Sequence, residues 1–272
     1  MKKHIAPMLL CIPLALALPA RATDIIAHRG ASHDAPENTL AAEKLAWEQN
    51  ADAVETDIYL TKDGKILAMH DKTARRTTGR NATIASMTFD EARKLDAGKW
   101  KDSKYAGEKL PTLAEQLALI PAGKRMFVEI KTGPEIVPAF AGCLARCGAG
   151  RHNVTVISFN YDSLVAVRKQ LPGLATLYLM GYKSPDAIKP GAKPQPSIDE
   201  VIAQARTAGF TGLSLQGTWP LTPADVQKIK KAGLQLHVWT IDDPAKARQW
   251  IELGAQSITT NRPGWLRAQL KL

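Results

Sequence analysis

Short apolar runs rich in β-branched residues alternate with amphipathic stretches along most of the chain. The runs predict strands at Ile25–Arg29, Ala53–Tyr59, Ile66–His70, Arg125–Lys131, Val154–Phe159, Ala175–Met180, Gly212–Gln216, Gln235–Thr240 and Ser257–Thr260. Between them, apolar positions three and four apart predict helices over Thr39–Gln49, Leu113–Ile120, Tyr161–Gln170, Ile198–Ala208, Pro223–Ala232 and Pro244–Leu253. The punctuation agrees. Asn38/Thr39 suits an N-cap, Thr222-Pro223 supplies a cap and a first-turn proline, and Gly233 and Gly254 stop their helices.

Nine strands are one more than a closed eightfold barrel needs, and the surplus can be located. Only Thr61-Lys62-Asp63-Gly64-Lys65 separates Leu60 from Ile66. A parallel return needs a crossover of a dozen residues or more, whereas Asp-Gly is a hairpin signal. With Asp63-Gly64 as a two-residue turn, Lys62 pairs with Lys65 and Asp57 faces His70. The other eight strands fit an α/β fold of the (β/α)8 TIM-barrel type, one domain over residues 23–272. An open doubly wound sheet is disfavoured, because no Gly-rich nucleotide loop follows the first strand.

Two segments exceed the plain repeat. About 40 residues, roughly 71–110, follow the hairpin where a handful would do. They include a helical piece of their own (Thr88–Leu95), which predicts a small insertion over the barrel mouth. Lys183–Ser197, with four prolines and Lys183, Lys189 and Lys193, follows a strand and so falls on the C-terminal face.

Composition narrows the class only broadly. With 45% hydrophobic and 23% charged residues, the 272-residue chain is not disordered, collagenous or polytopic. Met1-Lys2-Lys3, the apolar stretch from about Ile5 to Pro19 and Ala20-Arg21-Ala22 have the build of a secretory signal peptide over residues 1–22. Its removal takes three cations and no acid from a formal net charge of +10. The expected destination is the periplasm or the exterior. The basic residues lack the aromatic interleaving of single-strand binders, so no nucleic-acid partner is expected, and no stable membrane insertion either. Oligomeric state is left open. Cys143 and Cys147 would lie about 6 Å apart at Cβ on a regular helix, so a disulfide requires a frayed last turn.

Catalytic groups of a barrel belong at the C-terminal ends of its strands. The first strand ends in His28-Arg29. The second carries Glu55 and Asp57, two apart and therefore on one face, and the hairpin strand ends in His70-Asp71. The third barrel strand repeats the spacing with Glu129 and Lys131. Several acids in one barrel mouth repel unless a cation is present. Oxygen ligands from Glu55, Asp57 and Glu129 select Ca²⁺ or Mg²⁺ rather than zinc. A hard ion beside Arg29 and Lys131 suits a phosphate ester, and His28 and His70 can divide acid and base roles. His33 and His152 lack such support, and His237 reads as a barrel-core residue.

These motifs resemble the glycerophosphodiester phosphodiesterase family. The resemblance rests on His28-Arg29-Gly30, Pro36-Glu37-Asn38-Thr39, Glu55-Thr56-Asp57, Thr61-Lys62-Asp63-Gly64 and His70-Asp71. It continues through Val128-Glu129-Ile130-Lys131, Val238-Trp239-Thr240 and Thr260-Asn261-Arg262-Pro263, and through the insertion with Leu95-Asp96-Ala97-Gly98 and Pro111-Thr112-Leu113. It implies hydrolysis of a small glycerophosphodiester to glycerol 3-phosphate and an alcohol. Glu55, Asp57 and Glu129 would hold one divalent cation, Ca²⁺ favoured and Mg²⁺ the alternative. His28 and His70 would be the acid/base pair, Arg29 and Lys131 would meet phosphate, and Trp239 would line the pocket. Asn261 stands where many relatives have Asp, and Glu43 at a position often apolar; neither is expected to touch the metal or proton-transfer groups. The rival readings are a phospholipase D-like enzyme acting on lysolipids or sphingomyelin, and a catalytically idle barrel that binds metal or phosphate.

Overall fold

A computed structural model describes residues 23–148, 153–187, 191 and 193–272. The expected signal peptide, His152 and Lys189 lie outside the described residues.

The chain opens with β1 (Asp24–Ala27), α1 (Leu40–Glu48), β2 (Ala53–Leu60) and β3 (Ile66–Ala68). Short helices α2 (Arg75–Thr78), α3 (Phe89–Arg93) and α4 (Leu113–Leu117) follow. Regular alternation then sets in: β4 (Arg125–Ile130), α5 (Val137–Arg146), β5 (Val154–Ser158), α6 (Tyr161–Gln170), β6 (Ala175–Met180) and α7 (Ile198–Thr207). It ends with β7 (Gly212–Gln216), α8 (Pro223–Lys231), β8 (Gln235–Trp239), α9 (Pro244–Leu253), β9 (Ser257–Thr260) and α10 (Pro263–Leu270). Eight strands are parallel, and the β1–β2 pairing closes the sheet into a barrel. β3 is the surplus strand, antiparallel on β2.

The alternation of side chains along each strand sorts the core into two layers. Ile26, Ala53, Phe127, Ile157, Leu177 and Leu179 fill the barrel interior. Their neighbours, such as Ile25, Met126, Val128 and Val156, face the helices. Caps fix where the helices start: Thr39 accepts from the Ala42 amide, and Thr222 from Asp225 ahead of Pro223 at the first turn. His237 belongs to the interior layer, its Nδ1 2.6 Å from Ser257 Oγ. Burial and the charge of Arg125 push its pKa down to about 3. Cys143 is buried and Cys147 exposed on α5, whose backbone bond from Cys147 N to Cys143 O (3.0 Å) keeps the turn helical; the two are unbridged.

The hairpin register differs from the expected one. Thr61 N donates to Lys65 O (2.8 Å), leaving Lys62, Asp63 and Gly64 as a three-residue loop. Gly64 takes φ +76°, the left-handed position such loops reserve for glycine. Asp57 therefore faces Met69, whose amide bonds the Asp57 carbonyl at 3.0 Å. His70 lies one residue past that pair, beyond the strand, free to turn toward the mouth. Residues after it carry α2, α3 and a small core of their own, with Met69, Ile84, Met87 and Leu110 buried.

Glu43 on α1 is 1% exposed; its carboxyl meets Trp47 Nε1 at a long 3.4 Å and Gln116, and its Oε2 has no hydrogen-bond partner. Burial raises its pKa from 4.5 to about 8. Between those values the folded chain keeps a proton that the unfolded chain has lost, so stability falls as pH rises and is flat above about 8. Glu43→Gln, which cannot ionise, is expected to stabilise the fold by about 1–3 kcal/mol at pH 8 and by little at pH 4, as thermal melts across that range will register.

Candidate active site

The period that builds the core also aims the site. Continuing each inward series toward the C-terminal strand ends gives His28 beyond Ile26, Glu55 and Asp57 beyond Ala53, and Glu129 and Lys131 beyond Phe127. With His70, most of them rim a cavity of about 110 Å³. Asp57 lies buried below them, paired to Lys131 and Arg29 at 3.4 Å each. All eight residues singled out in the sequence meet at this one mouth.

One oxygen from each of Glu55, Asp57 and Glu129 lies within 4.8 Å of the others, and all three residues are buried. Burial, then the charges of Asp57 and Glu129, push the Glu55 carboxyl well above its usual range. Burial and Asp57 raise Glu129 to about 7. Burial acts the same way on Asp57, but Lys131 and Arg29 outweigh it and hold that carboxyl low. Glu55 Oε1 and Asp57 Oδ1 are buried without a hydrogen-bond partner. Buried carboxylate oxygens without hydrogen bonds are costly even where, as at Asp57 Oδ1, a lysine ammonium lies 3.4 Å away, and their convergence suits a hard divalent cation bound through oxygen.

The hydrogen-bond partners fix the histidine tautomers. Asn261 Nδ2 donates to Asp242 Oδ2 (2.7 Å), so its Oδ1 must be the atom that accepts from His28 Nδ1 (2.7 Å). His28 Nε2 is thereby left bare on the cavity side, 4.0 Å from Glu55 Oε2. Burial and Arg29 lower its pKa to about 4, so the ring is neutral at pH 7. The expectation that Asn261 stands apart from the proton-transfer groups is thus corrected: it orients one of them. His70 Nδ1 donates to Asp71 Oδ1 (2.7 Å), and that carboxylate supports the imidazolium form, in which Nε2 carries a proton it can give up.

Arg29 adopts φ +56°. That turn lets its amide donate to Glu55 Oε2 (2.9 Å) while its side chain reaches Glu37 (3.1 Å). Gly30 follows at φ +80°, where a Cβ would meet Ala42 backbone at 2.6 Å. Lys131 Nζ lies 2.7 Å from Glu129 Oε1. Asn38, which the sequence offered as a cap candidate, bonds a site carboxylate. Thr39 is the cap, and Asn38 instead donates to Asp57 Oδ2 (2.8 Å) and accepts from the Asp57 amide (3.1 Å). The far wall is apolar: Phe127, Ile157, Leu179, Phe159 and Trp239 line it. Trp239 is tethered to Ser214 O (3.0 Å) and meets Phe159 edge to face at 5.5 Å.

Oxygen ligands for a hard cation, beside groups that attract phosphate and can exchange protons, place the protein among the barrel hydrolases of phosphate esters. The comparisons sharpen this. The chain belongs to the glycerophosphoryl diester phosphodiesterase family, whose model matches residues 28–265. It is 35% identical to a glycerophosphodiester phosphodiesterase of Caldanaerobacter subterraneus, over 89% of this chain and 95% of that one. Its similarity to the Bacillus subtilis glycerophosphodiester phosphodiesterase is 30% identity over 88% and 83%. Among solved structures, an Oleispira antarctica phosphodiesterase in complex with its product sn-glycerol-3-phosphate superposes with a TM-score of 0.79 at 28% identity, covering 92% and 98%.

Proposed function

We propose that the protein hydrolyses small glycerophosphodiesters, such as glycerophosphocholine and glycerophosphoethanolamine, to sn-glycerol 3-phosphate and an alcohol. The observation that carries this is the shape of the cavity, with charged groups for a phosphodiester on one side and an apolar wall opposite. A three-carbon backbone suits that wall, with its face on Trp239.

Glu55, Asp57 and Glu129 would hold one divalent cation, which when bound would supply positive charge beside the phosphodiester. Calcium is the favoured ion, given export, with magnesium the alternative. Arg29 and Lys131 orient the phosphodiester and offset the charge that grows on its oxygens. His28, neutral with a bare Nε2, takes the proton of the attacking hydroxyl. His70, on the other bank, gives a proton to the leaving alcohol. The nucleophile is water or the neighbouring glycerol hydroxyl.

The leader pattern supports export to the periplasm, and no described helix is long and apolar enough to cross a membrane. The test is product identity. Glycerophosphocholine incubated with the protein is expected to yield glycerol 3-phosphate and choline. Phosphocholine and glycerol instead would mean cleavage on the wrong side of phosphorus, against this reading.

A further inference from the structure

The geometry points to Arg76 as a positioning residue that aims both His70 and Arg29, an inference that rests on the function proposed above. Arg76 opens the segment inserted after the hairpin, on α2. Its guanidinium is shared between two carboxylates. Nε and Nη2 donate to Asp71 Oδ2 and Oδ1 at 2.7 and 3.0 Å. Nη1 and Nη2 donate to Glu37 Oε2 and Oε1, both at 2.7 Å.

Each carboxylate passes the constraint on. Asp71 Oδ1 also accepts from His70 Nδ1 (2.7 Å), and Glu37 Oε1 also accepts from Arg29 Nη1 (3.1 Å). A continuous chain thus runs His70–Asp71–Arg76–Glu37–Arg29, joining the two banks of the cavity through a residue outside its lining. Only a planar fork can hold two carboxylates bidentately at once; an ammonium offers a single point of charge. The bonds to Arg76, chief among them, keep Asp71 ionised far below the usual carboxylate range, so it remains an acceptor for His70. The Trp100 ring lies beside the guanidinium, its centroid 5.9 Å away. Without Arg76, Asp71 has no second anchor and can rotate into solvent, taking the ring of His70 with it.

Arg76→Ala is expected to lower kcat for glycerophosphocholine by about 10- to 100-fold, since misplacement of a reacting group by an ångström costs about that much, with a smaller rise in KM because Arg29 keeps its own pairs with Glu37 and Asp57. Free guanidinium ion should restore part of the loss in Arg76→Ala but none in His70→Ala. Arg76→Lys, which keeps charge and stem, should stay impaired and serves if the alanine variant does not fold. A crystal structure of either variant should show the His70 ring displaced or in more than one rotamer. Wild-type kcat in both variants, full recovery with lysine, or an unmoved His70 ring would overturn the inference. The wild-type protein assayed alongside separates the two claims. If it releases no glycerol 3-phosphate, the functional reading fails, and the His70 ring position alone decides the role of Arg76.

Discussion

His28→Ala and His70→Ala each lower kcat by about 100- to 10,000-fold, the usual worth of a positioned acid or base. The two losses differ in kind. His28 has its Nδ1–H committed to Asn261 and a pKa held near 4 by burial and Arg29, so at neutral pH it can only receive a proton at Nε2. Its removal therefore costs the attack on phosphorus whatever the alcohol. In the proposed assignment His70 serves departure, and a p-nitrophenyl phosphodiester, whose leaving group needs no proton, should recover most of the activity lost in His70→Ala. Rates for both variants on both substrates check this. Equal rescue of both, or rescue of His28→Ala alone, would reverse or remove the assignment.

Much of this was legible because the two signals that matter are local. The period of two along strands places Glu55 with Asp57 and Glu129 with Lys131, and strand order then brings them to one mouth. What escaped depends on backbone and tertiary detail. The hairpin register turned on one residue, because Gly64 closes a three-residue loop rather than a two-residue one. Asn261 looked remote because it is 233 positions from His28, and only the closure of β1 against β9 makes them neighbours. Asn38 was masked by an adjacent threonine equally suited to capping. Its positive φ is one that asparagine tolerates better than most residues, but the same turn at Arg29 has no sequence signature. Arg76 carried no signal, since pairing with Glu37 spans 39 positions through an irregular segment. The helix Pro263–Leu270 was also missed, though Pro263 at its first turn was a usable sign.

Glu55→Gln and Asp57→Asn should both abolish metal-dependent activity, yet move the metal-free protein in opposite directions. In the metal-free protein Glu55 has a raised pKa, so it costs stability increasingly as pH climbs above the usual carboxylate range, and the amide removes that cost. Asp57 has a lowered pKa, so its charge stabilises the fold at neutral pH and the benefit fades only in acid. Glu55→Gln should therefore raise the melting temperature at pH 7.5 in chelator, and Asp57→Asn should lower it by leaving Lys131 and Arg29 short of a partner. Neither variant should gain the upward shift that a bound ion gives the wild type. Because burial raises Glu129 to about 7 and holds the Glu55 carboxyl well above its usual range, the ion displaces protons on binding, and its affinity should weaken as pH falls from 8 to 6. Melting curves with and without ion, at several pH values, measure all of this.

The most direct test of the whole account is glycerol 3-phosphate release from glycerophosphocholine before and after EDTA, with Ca²⁺ and Mg²⁺ restored separately. Activity that vanishes with chelator and returns with one of these ions, more fully with calcium, is the predicted result. Undiminished turnover after complete removal of metal would contradict it.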